Sequence, residues 1–406
     1  MNLRHTLQAS RQKLLEQGLF YALIALPLLY FPENSSRAHF YRFVVFISAT
    51  GLSLGLIVRR ATISSLPRAL RVFLVIAVVA VVLTWCLNLS LPWPVHYVGI
   101  PLEYLGYITW LTFLVAAALF RETIRKLMLS PTTLVLCLAG LVLSLWSGSY
   151  YIRHGLSLSG VFYQPLALAI YANLGVVLCL EQLRRVGRKR KPRLALGLAL
   201  TVAIGAVLAS QSLLGYMLLA INLILWIFFT SPQRSLRYGL VAVVLGIICL
   251  PTLAPNYMSN YRRQSVRLGL DYKADLYKSQ IPDLLHNHPL SGHGPESLGT
   301  TVDNTDYLPP DISKSIGANY GFSANHDLFF DVGYFFGVIA ALGLLVLNVL
   351  AVKSYLQDQS RSIAYLLVYE VLLVGSIFTM PSIELTSLYF LVLFGLFRTS
   401  TNSTGK

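Results

Sequence analysis

Between short polar turns the chain repeats one pattern, apolar runs of about 17 to 25 residues such as "LLGYMLLAINLILWIFFT" (213–230). That is the length a helix needs to cross the roughly 30 Å hydrocarbon core of a bilayer. Charged residues make up 12% of the 406, against roughly a quarter in soluble proteins, so the chain cannot cover its surface with charge. The runs predict an all-α integral membrane protein with about 12 transmembrane helices. They fall near 18–31, 42–58, 72–88, 99–120, 128–147, 162–182, 193–210, 213–230, 237–253, 327–352, 362–380 and 383–397. Residues 1–253 then hold the first nine spans, 254–325 one long loop between helices 9 and 10, and 326–406 the last three spans and a tail. The first run lacks a small-residue cleavage site and reads as a signal anchor. Cys86, Cys137, Cys179 and Cys249 all lie in apolar runs and read as buried core residues, not as a disulfide or metal framework.

The net charge of +15 would fit a nucleic-acid binder, but its distribution points elsewhere. Alternate connections hold the cations: Arg4/Arg11/Lys13, Arg59 to Arg71, Arg121/Arg125/Lys126, Arg184 to Arg193, Arg234/Arg237, Lys353/Arg361 and Arg398/Lys406. The short connections between them carry only Arg37, Arg42 and Arg153. Positive residues beside helix ends stay cytoplasmic, which predicts both termini inside. The "RRVGRKRKPR" run (184–193) then faces anionic inner-leaflet lipid, and no nucleic-acid partner is expected.

The same alternation places residues 254–325 outside. A loop of that length without a span is usually functional. Its stretch "NYRRQSVRLGLDYKADLYKSQ" (260–280) holds Arg262, Arg263, Arg267, Lys273 and Lys278 among tyrosines. It reads either as an interfacial helix that snorkels its cations to headgroups or as an anion site for a lipid-borne phosphate. Further on, "NHPLSGHGPES" (287–297) should stop a preceding helix at His288-Pro289 and turn tightly at Gly292 and Gly294. "SANHDLFFDVGYFFG" (323–337) then leads into the tenth span. On one continuous helix His326, Gly333 and Gly337 fall within about 20° of one direction, a face where two glycines admit another helix closely. That turns the imidazole toward the bundle rather than toward lipid. No Asp, Glu or His cluster has convincing metal spacing, and "HNH" (286–288) reads as loop.

These elements resemble the O-antigen ligase family, bacterial envelope glycosyltransferases that include related O-antigen polymerases. The likeness rests on "HPLSGHG" in a long outer loop, followed by "NHDLFFDVGYFFGVIAALG". Upstream, "LSGVFYQPLALAIYANLG" (158–175) is similar to the family's Gly-aromatic-Asn-Pro element opening a span. The resemblance implies an inverting, metal-independent and cofactor-free transfer at the periplasmic face of the inner membrane. It would run from an undecaprenyl-diphosphate-linked glycan donor to a lipid A-core acceptor. It implies His326 as general base. It also implies that basic residues hold the diphosphate, here Arg262, Arg263, Arg267, Lys273 or Arg153. His288, Gly292 and Gly294 would shape the loop. Where the family often shows Ser-Arg at the end of the seventh span, this chain has Gln211, and Lys273 stands ahead of Tyr277 where arginine is common.

Two other readings compete. A polymerase would use a second lipid-linked glycan as acceptor. A transporter or flippase of lipid-linked glycans predicts charges inside helices, broken helices and paired halves. Glu370 is the one clear acid deep in a span, and no two-fold repeat is visible.

Overall fold

The structure is a computed structural model of the full chain. It describes residues 17–18, 20–29, 41–51, 66–87, 99–100, 104–105, 107–148, 162, 165–187, 189–230, 281–282, 284–292, 328–358, 362–378 and 383–397. Among these residues the architecture is helical, save one two-rung antiparallel ladder that pairs β1 (Gly99–Ile100) with β2 (Tyr104–Leu105). The ladder lies where the fourth span was expected to begin, so that helix starts at Tyr107 instead of residue 99.

The helices are α1 (Arg68–Leu87), α2 (Tyr107–Leu119), α3 (Arg121–Met128) and α4 (Pro131–Ser147). After them come α5 (Pro165–Val186), α6 (Arg190–Ala209) and α7 (Leu213–Thr230). The C-terminal group is α8 (Leu328–Phe336), α9 (Val338–Leu356), α10 (Ile363–Phe378) and α11 (Ile383–Gly395). Four of them, α5, α6, α7 and α9, are long and apolar enough to cross a membrane. The pair α3–α4, bent by 67°, makes a fifth if it counts as one span. The ninth expected span, 237–253, lies outside the described residues.

The core is built around α5, which packs on α4, α6, α7 and α10. Every residue from Ala167 to Cys179 is buried, as expected of a helix apolar on all sides. The amide at its centre is satisfied: Asn173 Nδ2 donates to its own Ala169 carbonyl (2.9 Å) and across to Gly215 of α7 (3.0 Å). The outer helices do the reverse. Val75 and Val79 of α1, Leu194 and Leu198 of α6, and Val346 and Val349 of α9 are exposed. An apolar belt of that extent is stable against lipid and not against water. Cys137 and Cys179 are buried, but Cys86 is exposed on α1. The expectation of four buried cysteines fails there because a small apolar thiol is at home on a lipid-facing surface.

Three of the cation-rich connections meet at one end of the bundle. Arg125 of α3 pairs with Asp358 just beyond α9 (2.5 Å) and lies over the Tyr355 ring, 5.2 Å from its centroid. At the α3–α4 bend the Leu129 carbonyl would lack a helical partner. It accepts instead from Gln182 Nε2 (2.8 Å) and Arg185 Nη1 (2.9 Å) at the end of α5. Ser130 caps α4 by accepting from the Thr133 amide, with Pro131 in the first turn. Glu181, fully buried, is held by both Arg184 and Arg185. The segments 121–128, 181–185 and 353–358 therefore share one end.

Candidate functional site at a helix break

At the opposite end the tenth span departs from expectation. It is not one helix from 327 to 352 but two, α8 and α9, separated at Gly337 with φ +90° and ψ +163°. Glycine alone adopts that backbone region without strain. A Cβ placed on Gly333 would lie 3.3 Å from the Ala341 Cβ. Residues eight apart in a straight helix sit about 12 Å apart along the axis, so the chain folds back sharply here. With nine residues, α8 spans about 13.5 Å and cannot cross a membrane by itself. The single helical face expected for His326, Gly333 and Gly337 is thus corrected, since Gly337 belongs to no helix. Gly333 meets α9 of the same fold-back, and what approaches Gly337 is a loop.

That loop is the His-Pro element. Residues 284–287 are helical and the helix stops before His288-Pro289, as the proline predicts. His286 and Asn287, expected in the loop, instead form the last helical turn and are exposed, while His288 is half-buried. The turn closes when the Gly292 amide donates to the His288 carbonyl (2.9 Å), with Gly292 at φ +61°. The loop then locks onto the break from both sides. A side chain on Gly292 would run into the Phe335 backbone, and one on Gly337 into the Leu290 carbonyl. The Val338 amide, the first of α9 and without an intrahelical acceptor, donates to the Pro289 carbonyl (2.9 Å). Beneath the loop, buried Leu284 packs with Tyr334, Phe330, Phe335 and Val338.

A third element completes the seat. Thr84, fully buried on α1, directs its hydroxyl at the Ser291 carbonyl (2.6 Å), with its own-helix Ala80 carbonyl at 2.8 Å. Asp331, also buried, lies on α8 in this region. The α6–α7 hairpin reaches the same end of the bundle. There Gln211 carries the one positive φ (+52°) among described non-glycine residues, and Ser212 caps α7 by accepting from the Gly215 amide (3.2 Å).

Of the residues anticipated as functional, the structure brings His288 and Gly292 onto the helix break. His326, Arg153, Arg262, Arg263, Arg267, Lys273 and Gly294 lie outside the described residues. Among the described residues no three His, Cys, Asp or Glu side chains gather as a metal ion would need. Sequence reading missed Thr84. Nothing in a valine-rich span marks its single threonine as turned inward.

Residues 198–345 match the family model described as O-antigen ligase. That segment is similar to the O-antigen ligase family. The matched stretch takes in the α6–α7 hairpin, the His-Pro loop and the fold-back of α8 on α9, so the O-antigen ligase signature and the interlocked geometry coincide. No curated protein matches the chain. The match and the apolar helices together support a membrane protein of the O-antigen ligase or polymerase type.

Proposed function

We propose that the protein transfers a glycan from an undecaprenyl-diphosphate carrier to a sugar hydroxyl of the lipid A-core, at the periplasmic face of the inner membrane. The observation that carries this is the O-antigen ligase match across residues 198–345, which contains both "HPLSG" and the segment leading into α8. His326, two positions before α8 in the chain, is the proposed general base. An imidazole titrating near about 6.5 can take a hydroxyl proton at neutral pH. As the glycosidic bond breaks, negative charge builds on the departing diphosphate. Arg262, Arg263, Arg267, Lys273 and Arg153 are the cations proposed to receive it, a stabilisation greatest in the transition state. The step needs no metal on this reading, and the anomeric configuration inverts because the acceptor oxygen attacks opposite the leaving group.

The test is deletion of the gene with analysis of the cell's glycans, followed by complementation with His326→Ala. Polymer left on its lipid carrier signifies a ligase. A core bearing a single repeat unit would make the enzyme a polymerase. Normal capping by His326→Ala at wild-type protein level would remove the base assignment.

A further inference from the structure

The loop that docks on the helix break is tied to a helix from the other half of the chain, outside the family-matched segment. We infer that Thr84 is a positioning residue for glycan transfer. Its hydroxyl holds the 288–292 loop in its seat against Gly337, and through that seat sets α8. The inference rests on the transferase reading given above.

Three observations carry it. The Thr84 hydroxyl has one proton and two carbonyls within reach. Bonding to the residue four back is the ordinary local choice for threonine in a helix, yet the non-local Ser291 carbonyl is nearer, 2.6 Å against 2.8 Å. The acceptor sits at a residue 4% exposed, where a carbonyl without a donor is costly. Finally, the loop is tied to two different helices. Its tip residue Leu290 is 56% exposed, and the Val338 amide on Pro289 supplies the bond from α9. Glycine interlocks resist compression but do not prevent the loop from lifting away. A donor from α1, which packs on both α8 and α9, does.

The experiment compares Thr84→Val and Thr84→Ser in full-length protein reconstituted in membranes. It reads glycan transfer from lipid-linked donor to lipid A-core, and amide hydrogen exchange over residues 337–341. Valine keeps the shape and removes the donor, and serine restores it. Thr84→Val should lower kcat about tenfold, the scale of one buried hydrogen bond. Its KM for acceptor should stay within about twofold, and the Val338 amide should exchange faster. Thr84→Ser should recover most of the rate and the slow exchange. If valine proves poorly inserted, Thr84→Ala serves in its place with the same expectations. Wild-type turnover in the donor-less variant would overturn the inference, as would a loss that serine fails to rescue or one without faster exchange. Faster exchange in a protein whose wild type transfers no glycan would overturn the transferase reading. The positioning role would fall with it, leaving a structural latch.

Discussion

Two glycines with positive φ meet at the same contact, and a third elsewhere shows what their conformation alone is worth. Gly187 has φ +62° and open space, with nothing within 4 Å of where a Cβ would lie, so Gly187→Ala carries only the left-handed penalty of about 1–2 kcal/mol. It should leave transfer intact. Gly337→Ala carries about 1–3 kcal/mol for its backbone region and also drives a methyl into the Leu290 carbonyl. Because the backbone of the loop itself is in the way, no side-chain rotation relieves the clash. The expected outcome is normal membrane insertion, since α9 is unchanged, with lipopolysaccharide capping below about a tenth of wild type, a drop that corresponds to about 1.4 kcal/mol. Parallel immunoblots and glycan gels of Gly187→Ala and Gly337→Ala check it. Equal activity in the two would mean the interlock has no part in function.

Between helices, polar groups set how α9, α10 and α11 meet. Asn348 Oδ1 accepts from the Tyr369 hydroxyl (2.6 Å) and the Tyr389 hydroxyl (2.7 Å), while its amide donates to Leu344 (2.7 Å). Interhelical hydrogen bonds in membranes average about 0.6 kcal/mol, so Tyr369→Phe should cost about that. Asn348→Leu strips the acceptor from two buried hydroxyls at once and should cost several times more. Thermal unfolding in detergent separates the two, and equal effects would mean the hydroxyls find other acceptors. Elements of this kind were legible in part. Apolar run length predicted α5, α6 and α7, because that signal is local. The break at Gly337 was not legible. "DVGYFFGVIAALG" is apolar throughout, and a helical wheel assumes the continuity it is asked to test. What breaks the helix is the Pro289–Leu290 backbone, about fifty residues earlier in the chain, and no period in the sequence records that contact. Thr84 escaped for the same reason.

Across the whole molecule the two ends differ in kind, and that difference makes the orientation testable. One end gathers Arg125, Asp358, Arg184, Arg185 and buried Glu181, with Lys189, Arg190 and Lys191 exposed at the start of α6. The other holds Thr84, the 288–292 loop and the α6–α7 hairpin. α1 begins at Arg68 and carries Phe73 against Phe394 of α11. It reaches Thr84 eleven residues later, about 16 Å along the axis, so the loop and the cation end are on opposite sides of the bundle. If cations beside helix ends stay cytoplasmic, Leu290 faces the periplasm and Arg190 the cytoplasm. In a background with all four cysteines replaced, Leu290→Cys should react with a membrane-impermeant maleimide in intact spheroplasts, and Arg190→Cys only after permeabilisation. Both side chains are exposed, so failure to label cannot be blamed on burial. The reverse pattern would put the interlocked loop on the cytoplasmic side. A lipid A-core acceptor presented at the periplasmic face could not then reach it, and the proposed reaction would have to be abandoned whatever the family match.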